Sequence, residues 1–373
     1  MVRSLRLCIQ IALAFLALAP QGPSGPLSSR VKLRFNGALP AVSEWYHLVF
    51  GPENKAWLFS RSKLWQTIDA GVSWQVVSVP ATAPKLLPWI EDATFHHDRG
   101  ILLKGNELFV TSDGGRSWGK LPPVPLGSHG GELRGIGDMT SGMITFGAVY
   151  EPARPGESTG NKDVRLDASK TPVVPRPAIF QKDDTEGSWT REVLPGVAGG
   201  FPGLRIVSIS FADSGHGVAA TEVAVAYTAD RGSHWMASRI YGQGCVAQRH
   251  LDADHYSNRL VDLLDDHNGW LSLDNGAIYR TADGGATWCE EAPPGTIHSQ
   301  FSPVPSYFES LAFSSPSIGW GVEVSGALLE TQDGGRSCFR PVPELRCIQV
   351  LPSAPNLGWV VADSGLYRMQ MNH

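Results

Sequence analysis

An eight-residue pattern recurs six times along this chain, and recurrence at a nearly fixed interval dictates a repeat architecture. Thr67-x-Asp69-x-Gly71-x-Ser73-Trp74 returns as Thr111-x-Asp113-Gly-Gly115-x-Ser117-Trp118 and as Thr228-x-Asp230-x-Gly232-x-His234-Trp235. It returns again as Thr281-x-Asp283-Gly-Gly285-x-Thr287-Trp288 and Thr331-x-Asp333-Gly-Gly335-x-Ser337-Cys338. A degenerate copy keeps Asp184, Ser188 and Trp189, with Lys182 in place of the threonine and its glycine displaced to Gly187. Each copy has a local rationale. The carboxylate accepts hydrogen bonds from backbone N–H groups just ahead of it, and the glycine takes the positive φ of a tight hairpin. The Ser or Thr hydroxyl completes the network, and the Trp opens the next strand as a large packing residue. The pattern therefore predicts a folding device and not an active site.

Successive aspartates are 44, 71, 46, 53 and 50 residues apart, which matches four-stranded propeller blades of about 40–50 residues. The long interval contains Pro152 to Ala178, proline-rich, polar and without periodicity, which reads as a loop inserted in blade 3 (152–178). A second marker runs in phase with the first: Trp57, Trp270, Trp320 and Trp359 each sit in a strand-like run, and the first three precede their aspartate by 12 or 13 residues. The same count from Trp359 reaches the end of the chain. The seventh repeat is thus one strand short, and Val31–Phe35 (VKLRF) alternates like a strand with no partner of its own. Pairing it with Leu366–Gln370 closes the ring and removes two exposed edges. The expectation is an all-β, seven-bladed β-propeller over residues 30–373. Nine of the twelve tryptophans serve that architecture, leaving Trp45, Trp65 and Trp89 for other duties.

Residues 1–29 read as a signal peptide with a short linker. Arg3 and Arg6 precede the apolar run Leu7–Ala19, which is shorter than the ~20 residues a membrane span needs. A secreted or periplasmic protein with no membrane span after cleavage is expected. Cys8 would leave with the signal, and the remaining Cys245, Cys289, Cys338 and Cys347 suggest two disulfides. Three pairings are open to them, and Cys338–Cys347 with Cys245–Cys289 is the preferred set. With 31 basic and 36 acidic residues and a net charge of -5, the chain lacks the positive field of a nucleic-acid binder.

The aspartate repeats resemble the Asp-box, or BNR, repeat of sialidases and sortilin-type receptors. The fuller unit, a Gly-Trp strand followed by T-x-D-G-G and S/T-W, resembles the photosystem II stability and assembly factor-like family from about Glu44 onward. That resemblance implies a monomeric scaffold that binds protein partners during assembly, without a cofactor. The degenerate third copy, the insertion and Cys338 in place of Trp depart from the family pattern.

A competing class is a secreted glycoside hydrolase or glycan-binding protein of the sialidase type. Its candidates are Tyr307 and Glu309, with Arg249 and Arg259, while Arg34 is a faint echo of the sialidase arginine start. His250, Asp252, Asp254, His255, Asn258 and Asp262 offer oxygen and imidazole ligands but lack the glycine and terminal glutamate of a calcium loop, so no metal is expected. Glu91, Asp92, His96, His97 and Asp98 read as a strand running into a turn, with a solvated surface the expectation for both clusters. No GxSxG, Walker or dinucleotide fingerprint occurs. The balance favours a protein without catalysis.

Overall fold

In the computed structural model, described residues are 31–40, 47–51, 54–82, 89–138, 143–153, 165–166, 172–182, 187–194, 205–212, 215–249, 258–292, 307–336, 340–342, 345–354 and 357–371. The expected signal segment, Trp45, Asp184, Cys338, Asp252, Asp254 and His255 lie outside them. No helix of the described residues is long and apolar enough to cross a membrane.

Seven sheets form the seven blades of a propeller, each with an antiparallel four-stranded core. Blade 1 spans His47–Val77, blade 2 Ile90–Lys120, blade 3 Gly131–Val193, blade 4 Ile206–Ala237, blade 5 Asn258–Ala292 and blade 6 Phe308–Val342. Blade 7 takes three strands from Cys347–Met371, and its outer strand is Val31–Gly37 from the start of the described chain. Leu33 lies opposite Met369 and Phe35 opposite Tyr367, so the ring closes as expected. Within each blade the second strand is almost wholly buried, because both its faces meet neighbouring blades. Its sequence is accordingly a continuous apolar run such as Trp57-Leu58-Phe59.

Side-chain oxygens of the innermost strands bridge five of the seven blade junctions among the described residues. Asp92 accepts from the Ile136 N–H at 2.8 Å, Ser208 from Val261 at 3.1 Å, Ser310 from Val350 at 3.2 Å and Gln349 from Leu48 at 2.9 Å. One layer further along, Ser210 accepts from Leu263 and Asp262 from Phe313. Asp92 and Asp262 therefore bridge blades as half-buried groups, where a solvated surface was expected; burial pushes both carboxyls up to about 6.

Two further expectations are corrected. Residues 152–178 are not a loop throughout: Pro172–Lys182 is one strand, paired with Met143–Pro152 over ten residues from Met143↔Lys182 to Pro152↔Val173. The insertion lengthens the central hairpin of blade 3, and Arg165–Leu166 adds a short strand against Pro172–Val173. Cys245 and Cys289 form a disulfide, with Cα atoms 5.1 Å apart, but Cys347 carries a free, buried thiol and forms no bridge to Cys338. Burial pushes that thiol up to about 12. The disulfide anchors an element not foreseen in the sequence. Arg239–Tyr241 runs parallel to the outer strand Thr287–Ala292, and Gln248–Arg249 pairs beside it, widening blade 5 to six strands.

Candidate functional site

The up-and-down course of every blade separates two faces. One carries the aspartate turns, between third and fourth strands; the other carries the connections between second and third strands and from blade to blade. The extended blade 3 hairpin projects from the second, the insertion face.

The five regular aspartate turns are built alike. In blade 1, Thr67 Oγ1 donates to Asp69 Oδ1 at 2.8 Å and accepts from the Gly71 N–H at 2.8 Å, while Ser73 donates its backbone N–H and hydroxyl to the two carboxylate oxygens at 2.9 and 2.6 Å. Asp113 and Asp283 repeat the set with Ser117 and Thr287. In blade 6, Thr331 Oγ1 likewise donates to Asp333 and accepts from the Gly335 N–H. In blade 4, His234 replaces the hydroxyl residue and its Nδ1 lies 2.6 Å from Asp230 Oδ2. Gly71, Gly115, Gly232, Gly285 and Gly335 have φ between 84° and 97°, a region L-residues rarely adopt. The hydrogen bonds from Ser73, with that from Thr67, hold Asp69 down to about 2, and the equivalent donors lower Asp113 further. A carboxylate so fully occupied by its own turn is a poor general base. These residues hold hairpins together.

The tryptophans act between blades. Trp57 Nε1 donates to the Gly114 carbonyl in the blade 2 turn at 3.1 Å, and its ring stacks on Phe95 at 4.1 Å. Trp270 repeats this at the junction of blades 5 and 6, donating to Gly334 O at 2.9 Å and stacking on Phe313 at 3.5 Å. Trp118 donates to Ser78 O and Trp189 to Pro122 O, each reaching back to the preceding blade. Trp74 is half-buried, Trp235 and Trp288 are buried, and Trp288 bonds the Gly285 carbonyl of its own turn.

Of the tryptophans outside the two repeat markers, Trp65 is buried in blade 1. Trp89 is 42% exposed on the insertion face, with the Arg61 guanidinium 5.4 Å from its ring centre. This aromatic, the blade 3 hairpin and the disulfide-anchored turn Gln243–Cys245 beside blade 5 are features of the described residues that the repeat does not account for. The hairpin is rigid at its base: Glu151 pairs with Arg191 at 2.9 Å and approaches Arg176 at 3.9 Å, and Val149, Val173 and Val174 are buried.

The remaining sequence candidates are dispersed. Tyr307 precedes the inner strand of blade 6 and Glu309 lies within it, both half-buried. Arg249 ends the short strand beside blade 5, and Arg259 is in that blade's inner strand. Asp98 forms an ion pair with Lys55 at 2.7 Å, and His96 and His97 are exposed at the turn. Among the described residues, Asp265, Asp266 and His267 approach one another closely enough to share a cation, but Asp265 is taken up in capping the His267 and Asn268 N–H groups.

No protein-family model and no curated protein matches the chain. Solved structures do. YCF48 bound to a D1 peptide is similar with a TM-score of 0.59 and 17% identity, covering 93% of this chain and 97% of that one. YCF48 from Cyanidioschyzon merolae gives 0.59 and 14%, covering 92% and 98%. A GH74 xyloglucanase from Xanthomonas campestris gives 0.50 and 13%, covering 85% of this chain and 51% of the enzyme. At these identities the likeness establishes a shared seven-bladed frame, with YCF48 matched over almost its whole length.

Proposed function

We propose that this chain is an exported, monomeric scaffold that binds a protein partner through its insertion face and acts without catalysis or cofactor. The observation that carries the reading is the end-to-end likeness to YCF48, a propeller of the same span whose structure holds a bound peptide. The local chemistry agrees with it. The aspartates of the regular turns are occupied structurally, while two of the chain's elaborations, Trp89 and the blade 3 hairpin, stand on one face. Localisation to a secreted or periplasmic compartment follows from the charged and apolar order of residues 1–19 and accords with the disulfide.

Affinity capture from the exported fraction tests this, using the full chain and a variant in which residues 154–171 are replaced by Asn-Gly. That replacement keeps the Pro152↔Val173 pair and supplies a two-residue hairpin turn. A stoichiometric partner retained by the full chain and reduced about tenfold by the variant is expected. Equal capture by both proteins would remove the hairpin from the interface.

The xyloglucanase likeness favours a second reading, a glycan-active propeller. Turnover of xyloglucan, other β-glucans or sialosides, abolished by Glu309→Gln, would replace the scaffold reading.

A further inference from the structure

The connection from blade 4 to blade 5, residues 238–257, is the longest between two blades, and it does not run straight to the inner strand. In blades 1, 2, 4, 6 and 7 the outermost strand is the bare edge of its sheet. In blade 5 that edge is covered. Ser238 Oγ donates to the Gly285 carbonyl at 2.6 Å, the Arg239 N–H donates to Ala286 O at 3.0 Å, and Arg239–Tyr241 then lies along Thr287–Cys289 as a parallel strand. Ile240 is buried in the core of the blade. Beyond Tyr241 the strap turns back: Gln248 and Arg249 pair with Tyr241 and Ile240, and the Gly242 N–H donates to Ala247 O at 2.8 Å. Residues 243–247 are all exposed. So short a hairpin is marginal in water, and the bond from Cys245 to Cys289 is what ties this outer limb to blade 5.

The bond stands where an exchange partner can reach it. Cys245 is exposed and Cys289 half-buried. Gly244 and Cys245 both take left-handed backbone, with φ of 70° and 59°, and only the first is a glycine. That region is unfavourable for any residue with a Cβ, so the turn is held in it by its surroundings. Exposed or strained disulfides are the readily exchanged ones, whereas structural ones in exported proteins resist reduction. The free thiol of the described residues lies at the opposite extreme, because Cys347 is buried and its thiol is pushed up to about 12. It serves as an internal control for unfolding.

We propose that Cys245–Cys289 is a reversible thiol–disulfide exchange site, and that a dithiol acting there unlatches the outer limb of the strap from the edge of blade 5. One thiol of the dithiol, as its thiolate, attacks Cys245 Sγ; the S–S bond breaks, and Cys289 leaves as a thiolate that takes up the proton released. The second thiol then attacks the mixed disulfide in the same way and frees Cys245 as a thiol. Two electrons pass from the dithiol to the chain, and the dithiol ends as a disulfide. Arg239–Tyr241 stays on the edge through the buried Ile240, while Gly242–Arg249 comes away.

The full chain is held in graded ratios of reduced to oxidised dithiothreitol without denaturant, its thiols are trapped with iodoacetamide and read peptide by peptide, and amide exchange is followed by NMR. Cys245 and Cys289 are expected to be trapped together at ratios that leave Cys347 unlabelled. In that state the Gly242 amide should exchange about tenfold faster, the Leu271 amide of the second strand should not change, and oxidised dithiothreitol should restore the starting rates. The double variant Cys245→Ser, Cys289→Ser should show the fast Gly242 exchange without reductant and no further change with it. Reduction of the pair only at ratios where Cys347 is labelled too would make the bond a structural one that opens by unfolding, and overturns the proposal. So does reduction that leaves the Gly242 exchange rate unchanged.

Discussion

The junction of blades 5 and 6 and the junction of blades 2 and 3 are built on the same plan, and only the first carries it out in full. At the first, Trp270 stacks on Phe313, donates to the Gly334 carbonyl, lies under the Arg280 guanidinium at 5.5 Å, and is joined by the Asp262 bridge to the Phe313 N–H. At the second, the inner bridge from Asp92 to Ile136 remains, but Ile101 replaces the tryptophan and Lys182 the turn threonine. The inner bridge is thus kept at a junction where the outer layer departs from the repeat. Further out, a junction can lose its tryptophan and its turn threonine and keep the fold, which is where a repeat protein has room to vary.

The largest expected difference between the two junctions lies in the wall residue. Trp270→Ala should lower stability by about 3–5 kcal/mol, because a fully buried indole leaves a cavity that rigid sheets do not collapse into. Ile101→Ala, beside a space already open, should fall at the lower end of the range for such truncations, about 2 kcal/mol. Ile101→Trp sharpens the contrast. It restores the repeat into a cleft of about 300 Å³ lined by Ile101, Val110 and Met143, and should leave the urea midpoint unchanged or raised, whereas overpacking a filled core costs about 1–3 kcal/mol.

How much of this was legible in the sequence depends on how local the chemistry is. The turns were, because Thr67, Asp69, Gly71 and Ser73 satisfy one another within seven residues, and so was ring closure, because a missing strand and a spare strand are both visible in the pattern. The blade 3 hairpin was not, because Pro172, Pro175 and Pro177 are the usual signature of a loop. Pro175 and Pro177 lie between the stretch paired with Arg165–Leu166 and the stretch paired with Thr190–Val193, so their missing N–H groups fall where no described strand needs them. Lys182 was half visible: a lysine in place of the turn threonine is plain in the sequence, but its burial and its register with Met143 belong to the tertiary structure. The Cys245–Cys289 bridge was the preferred pairing, but the parallel strand Arg239–Tyr241 that leads to it has no local signal.

A smaller effect compares blades 5 and 6 at the same tryptophan. The Trp270 indole N–H has the Gly334 carbonyl of the next turn, while Trp320 faces blade 7, whose outer strand comes from the start of the ring and brings no aspartate turn. The Trp320 N–H is accordingly buried without a partner among the described residues. Trp270→Phe should therefore cost about 1–3 kcal/mol through the carbonyl it leaves unpaired. Trp320→Phe keeps an aromatic ring and removes an unsatisfied donor, so its urea midpoint should move much less. Equal losses would mean that ring volume, and not the N–H, decides both.

The smallest contrast lies between turns of one design with different partners for the carboxylate. Asp69 is held at about 2, chiefly by hydrogen bonds from Ser73, so its turn contributes stability above the ordinary carboxylate pKa of about 4. That contribution is lost as pH falls through the folded value, in the window from about 4 to 2. In blade 4 the partner is His234, whose hydrogen bond and charge attraction to Asp230 raise it above the ordinary imidazole value of 6.5. A raised cation works in the opposite sense: its contribution is complete below 6.5 and declines as pH rises through the folded value. His234→Ser gives blade 4 the hydroxyl of blades 1 and 2, and should abolish the decline in stability above pH 6.5 while leaving the acid limb in place. Urea midpoints of the two proteins from pH 5 to 9 read this directly. Both groups are solvent-exposed, so added salt should shrink the His234 part while leaving the neutral hydrogen bonds of the other turns unaffected. Parallel midpoint curves for the two proteins across that range would show that the histidine acts in its turn only as a neutral hydrogen-bond donor.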